Sequence, residues 1–120
     1  MTYDEYNNYC ESLTATSYVC QWGGAHVWKV AAKVFAIGGW EMHDTPAFTF
    51  KTSEADFFAL QDEPGFRAAP YMASRGMKWI QIYDATALKD EEIKHYINES
   101  HRIVSLGLTK TKQKELGLNQ

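Results

Sequence analysis

Apolar residues alternate with polar ones in short runs through the middle of the chain and recur every three to four residues near both ends. Thr2-Tyr3-Asp4-Glu5 has the form of a capping box, in which a hydroxyl takes the third amide and a glutamate reaches back. Tyr6, Tyr9, Cys10 and Leu13 follow at helical spacing, predicting an amphipathic helix from about 3 to 13. Strand-like runs come next: Tyr18 to Trp22, Val27 to Val30, Lys33 to Ile37, and Ala47 to Lys51. Ala31-Ala32 separates the second and third as a tight hairpin without the glycine such turns favour. Ser53-Glu54-Ala55-Asp56 caps a helix reaching about Gln61. Pro64-Gly65 and Pro70 mark a loop, and Lys78 to Tyr83 is the last strand. Asp90-Glu91-Glu92 suits a helix N-terminus. Ile93, Tyr96, Ile97, Ser100, Ile103 and Val104 then form one face of a helix ending at Gly107, a natural left-handed terminator. A Lys-rich helix from Thr109 to Leu116 ends at Gly117.

This order of helix, four strands, helix, strand and two helices predicts an α+β fold of two layers. A curved, mostly antiparallel sheet would carry helices on one face. Alternation assigns Trp28, Val30, Phe35, Ile37, Phe48, Phe50, Ile80 and Ile82 to the helix side. Lys29, Ala47, Thr49, Lys51, Trp79, Gln81 and Tyr83 fall on the other side, which an antiparallel sheet can leave in water.

With 120 residues the chain fits one domain, residues 1–120, large enough to fold without a metal or disulfide. The start shows no basic and apolar leader pattern, and no apolar run approaches the ~20 residues that cross a bilayer. Two cysteines, Cys10 and Cys20, suggest no disulfide framework, so a cytoplasmic protein with reduced thiols is expected. The net charge of -3 argues against indiscriminate polyanion binding. The charge is uneven, however. Residues 1–60 hold three lysines against seven acids, whereas residues 61–120 hold nine bases against eight acids.

Reaction chemistry finds little support. Cys10, Cys20, His26, His43, His95 and His101 are scattered, without CxxC, HxH or HExxH spacing, so no metal or cofactor is expected. His95 is placed to pair with Glu91 or Glu99. Ser100 lies on an apolar helix face, where a hydroxyl usually bonds back to its own helix. A Cys20–His26 cluster would be the starting point for an enzyme. Gly23-Gly24 and Gly38-Gly39 lack the phosphate-loop pattern. The arrangement that carries weight is cations beside aromatics, which suits phosphates and unstacked bases. Lys29, Lys51, Arg67, Arg75, Lys78, Trp79 and Tyr83 are expected on one concave surface, with Lys110, Lys112 and Lys114 as a second patch.

The blocks "VWKVAAKVFAIGGW", "FTFKTSEADFFAL", "APYMASRGMKWIQI" and "INESHRIVSLGLTKTKQKELGL" resemble the MmcQ/YjbR family over nearly the whole chain. The chain departs at His101, where the family often shows tyrosine after the serine. The resemblance implies a secretion-chaperone-like α+β fold and a DNA-binding label, given because the curved sheet looks like a double-wing module. It implies no catalytic residue. The resulting expectation is a monomeric, non-enzymatic DNA-binding protein with no membrane partner. In it Lys29, Lys51 and Lys78 neutralise phosphate, Arg75 supports them and Trp79 stacks. The alternative is a protein, peptide or small-ligand binding domain, with Trp22, Trp40, Tyr71 and Trp79 lining a groove on the open sheet.

Overall fold

Thr2 Oγ1 accepts the Glu5 amide at 3.1 Å and Glu5 Oε1 accepts the Thr2 amide at 3.0 Å, so the capping box forms and starts α1 (Tyr3–Ser12). In the computed structural model, which describes residues 1–40 and 45–120, the chain continues through β1 (Thr16–Gln21), β2 (Ala25–Val30), β3 (Lys33–Gly38) and β4 (Phe48–Lys51). Then come α2 (Glu54–Leu60), β5 (Phe66–Ala68), a 3-10 turn at Ala73–Arg75, β6 (Trp79–Ile82), α3 (Asp90–Leu106) and α4 (Lys110–Leu116). Among the described residues the six strands form one antiparallel sheet in the order β1-β2-β3-β4-β6-β5. The helices lie on one side: α1 packs on β1 to β3, α2 on β5 and β6, and α3 across β2 to β4.

Local chemistry explains most element ends. Ser53 caps α2 through the Asp56 amide, and Thr109 caps α4 through the Lys112 amide. Gly117 adopts φ 72° and closes α4 in the left-handed cap. Gly107 does not behave this way: its φ is -75°, and its own carbonyl accepts from Lys33 Nζ at 3.5 Å while the Leu106 carbonyl accepts from Gln113 Nε2 at 3.5 Å. The β2–β3 hairpin has two loop residues, Ala31 and Ala32, at φ 47° and 70°, the signature of a type I′ turn. Both alanines therefore occupy a region that disfavours any Cβ.

The strand β5 was hidden within the expected loop. It is three residues long, too short to show a period, and it pairs with β6 as an edge.

Seven of the eight residues assigned to the helix side are there, packed with Tyr6, Cys10, Phe57, Ile93, Ile97 and Val104. Ile37 is the exception. The β2–β3 register runs Trp28↔Ala36 and then Lys29↔Val34, so Phe35 is an extra residue in a β-bulge. Phe35 and Ala36 both join the helix-side core, and Ile37 moves to the opposite face with Val27.

The bulge separates two backbone groups that a regular β3–β4 ladder would join. Ser100, fully buried on α3, stands between them. Its Oγ donates to the Phe35 carbonyl at 2.6 Å and accepts the Lys51 amide at 2.8 Å. The expectation that Ser100 bonds back to its own helix is thus corrected: tertiary groups left unpaired by the bulge outcompete the local carbonyl. His101 beside it presents its ring edge-on to Phe35, with centroids 5.1 Å apart, and Nε2 lies 2.8 Å from the Thr14 carbonyl.

Two stability predictions follow from this geometry. Ala31→Asn with Ala32→Gly is expected to stabilise the protein by about 1–2 kcal/mol by removing left-handed strain. The readout is a higher urea midpoint at unchanged slope, and a lower midpoint would contradict the turn assignment. Ser100→Ala strands a buried N–H and a buried carbonyl and is expected to cost about 3 kcal/mol. A loss below about 1 kcal/mol would show that the hydroxyl is not the bridge.

Candidate nucleic-acid interface

The helix-free face is built in rows fixed by strand register. Val19, Val27, Ile37, Thr49, Gln81 and Arg67 stand side by side across all six strands. The neighbouring row contains Ser17, Lys29 and Val34, and beyond the bulge Lys51 opposite Trp79. Lys29 and Lys51 are half-buried on this face, and Arg75 is exposed beside it on the 3-10 turn. Among the described residues, no carboxylate ion-pairs with any of these three.

The structure does not bring the remaining predicted residues into that set. Trp79 faces away from the helices, as alternation requires, but is only 4% exposed. It belongs to a second hydrophobic cluster with Ala25, Val27, Ile37 and Ala69, against which Trp40 and Met72 pack. The 69–77 segment and Trp40 cover this part of the sheet, so Trp79 cannot stack on a base. Lys78 lies on the other side, with its ammonium 5.0 Å from the Phe57 ring centre and 4.9 Å from that of Phe58. It is held by cation–π attraction at α2 and does not join Lys51. Arg67 is committed to Gln81, and its guanidinium lies 5.6 Å from the Tyr83 ring centre. Of the α4 lysines, Lys112 approaches Glu115 at 3.9 Å.

Gln81 organises the covered face and was not singled out from the sequence. It is fully buried, and its amide is used at both ends. Oε1 accepts Arg67 Nε at 2.8 Å and Nη2 at 2.6 Å, while Nε2 donates to the Trp40 carbonyl at 2.8 Å and Thr49 Oγ1 at 3.2 Å. One side chain therefore ties β4, β5 and β6 to the segment that carries Trp40. Alternation put Gln81 on the side expected to face water, so the sequence carried no signal of its burial.

Three of the four aromatics proposed for a groove do converge. Trp22, Trp40 and Tyr71 line a cleft of about 440 Å³ with Met72, Met77 and Arg75. The Trp22 and Trp40 ring centres are 6.2 Å apart, and those of Trp40 and Tyr71 are 5.9 Å apart. Trp22 is 52% exposed and Tyr71 66%. Trp22 sits in the β1–β2 turn at φ 54°, and Tyr71 follows Pro70 at φ 66°. Each costs roughly 1–2 kcal/mol of backbone strain for a bulky residue. Such strain tends to persist at binding sites, where surrounding structure holds it.

Charge is divided between the layers. None of the six strands contains Asp or Glu, and neither do residues 12–40 or 65–83 as a whole. The described acids lie on the four helices or at Asp62, Glu63 and Asp84 in connecting segments. On α3, Arg102 bonds both oxygens of Glu99 and holds its carboxyl below the usual carboxylate range. His95 forms no close ion pair with Glu91 or Glu99, contrary to expectation; its ring meets Tyr96 with centres 5.4 Å apart, and its influence on Glu99 is a lesser one than that of Arg102.

Other chemistries find no assembled site. Among the described residues no three His, Cys, Asp or Glu side chains converge on a metal position; His43 lies outside the described residues. Cys10 is buried, and burial pushes its thiol well above the usual range, so it stays protonated at neutral pH. Cys20 and His26 are cross-strand partners, yet His26 Nδ1 contacts Tyr18 Oη at 2.9 Å, and no hydrogen bond joins it to Cys20. No described helix is long and apolar enough to cross a membrane.

A one-sided antiparallel sheet with helices behind it defines a two-layer α+β protein, and solved structures share this fold. A Deinococcus radiodurans protein, DR2400, with a DUF419 domain aligns at TM-score 0.81 and 20% identity, over 98% of this chain and 88% of its own. A Pseudomonas syringae protein aligns at TM-score 0.67 and 17% identity, over 86% of this chain and 98% of its own. No match to a curated protein was found. The YjbR family model matches residues 11–103, and the chain belongs to that family.

Because Trp79 fills a core, Trp79→Ala is expected to cost about 3–5 kcal/mol of stability. Thermal or urea unfolding would read this directly, and an unchanged midpoint would contradict its burial.

Proposed function

We propose that this YjbR-family chain is a non-enzymatic nucleic-acid-binding protein that uses its helix-free face, with Lys29, Lys51 and Arg75 as the phosphate contacts. The observation that carries this reading is the acid-free sheet, opposed to helices α1 to α3, which carry nine acids against two bases, in a protein of net charge -3. A polyanion approaching those three helices meets repulsion; on the sheet side it meets cations that no described carboxylate neutralises. Electrostatic contacts of this kind dominate nucleic-acid affinity. Two free cysteines support a reducing, cytoplasmic setting.

The test is fluorescence anisotropy of labelled oligonucleotides across a salt series. Affinity is expected to fall with salt at a log-log slope of about -0.7 to -0.9 per phosphate contacted. Lys51→Glu with Arg75→Glu is expected to weaken binding at least about tenfold and flatten that slope. Lys78→Glu is expected to change it little, since that ammonium faces α2. Affinity unchanged in the double variant would overturn the reading.

A further inference from the structure

We infer that the Trp22–Trp40–Tyr71 cleft is a base-stacking site, and that the protein therefore prefers single-stranded nucleic acid to duplex. This deepens the reading above and rests on it. Three segments distant in sequence bring their rings into one run: the β1–β2 turn, the second residue beyond β3, and the approach to the 3-10 turn. The outer two rings are more than half exposed. In a duplex the base faces are already stacked, and only edges and phosphates are presented. A single strand offers free faces, which aromatic side chains accept with little regard to sequence.

The surroundings match that ligand. Met72 and Met77 give the cleft an apolar lining, and Arg75 adds a cation among the residues that line it. A base entering the cleft thus leaves its phosphate near a guanidinium. The floor beneath is firm, because Trp40 and Met72 rest on the Trp79 cluster and Gln81 fixes the Trp40 carbonyl. Ser74 Oγ donates to the Tyr71 carbonyl at 2.7 Å and braces the second wall. The cleft volume, about 440 Å³, lies toward the low end of the range for small-ligand sites, about 300–1,000 Å³.

The left-handed backbone at Trp22 and Tyr71 makes the test sharp. Asparagine tolerates that conformation far better than a bulky ring does. Trp22→Asn with Tyr71→Asn is therefore expected to keep or raise the Tm. The same double variant should lose about tenfold or more in affinity for a labelled oligo-dT. Duplex of the same length should bind more weakly than oligo-dT to the parent protein and equally to parent and variant. Tryptophan emission of the parent should be quenched by oligo-dT.

Equal affinity for both forms, unaffected by the double variant, would overturn the stacking site and leave the basic face standing. No salt-dependent binding to either form would overturn both. Salt-insensitive binding of a labelled Leu- and Phe-rich peptide, lost in the same variant while oligo-dT is ignored, would give the cleft to a peptide partner and overturn the inference.

Discussion

A single inserted residue in β3 sets the rest of the molecule. Side chains in a strand alternate strictly, so one extra residue reverses the assignment of everything beyond it. At Phe35 the reversal sends two consecutive residues, Phe35 and Ala36, into the helix-side core and turns Ile37 to the other face. The bulge also leaves a carbonyl and an amide without their ladder partners. Unpaired backbone groups in a dry interior are costly, so the irregularity survives only because Ser100 reaches from α3 to both of them. One hydroxyl thereby couples the long helix to the two central strands at the point where the sheet is least regular.

The second face follows from that reversal. Ile37 joins Val27, Ala25, Ala69 and Trp79, and a sheet that would have had one apolar face now has two. The added apolar surface must be covered, and Trp40 and Met72 cover it. Their positions are secured by polar as well as apolar means, since Gln81 spends its whole amide on Trp40, Thr49 and Arg67. What remains exposed is displaced outward, from the strand residues themselves to a rim of Trp22, Tyr71 and Arg75. The surface proposed for binding is thus assembled from turns held by a scaffold, which is where proteins commonly place recognition.

The sequence was legible wherever a local rule decides the outcome. The capping box at Thr2, the Ser53 cap, the glycine-free tight turn at Ala31-Ala32 and the helix face of Ile93, Ile97 and Val104 each rest on neighbours within a few residues. Alternation also placed Trp79 and Gln81 on the correct side. It did not reveal that this side is covered, because burial there depends on Trp40 and Met72, which lie far away along the chain. The bulge had one visible trace: Val34 to Ile37 is an uninterrupted apolar run in which alternation fails. Strand β5 left none, since Phe66-Arg67-Ala68 is too short to have a period. Lys78 was misplaced against the strand's own period: it shares a face with Ile80 and Ile82, the helix side, where Phe57 and Phe58 receive its ammonium.

The number of cations on the sheet face limits what electrostatics can do. Lys29, Lys51 and Arg75 can release only a few counterions, far fewer than the six to ten or so phosphate contacts that sustain strongly salt-dependent duplex binders. The acids of α1, α2 and α3 weaken long-range attraction further while biasing it, because an anion is repelled over those three helices and not over the sheet face. Useful affinity in such a protein needs a second contribution that salt does not screen. Exposed aromatic rings supply one, as stacking and apolar burial act at contact and are indifferent to ionic strength to first order. The two strained walls of the cleft are costly to folding, and nothing in the core draws benefit from their exposure. The proposed ligand, a base whose faces fill the space between Trp22 and Tyr71, would give that strain a physical use.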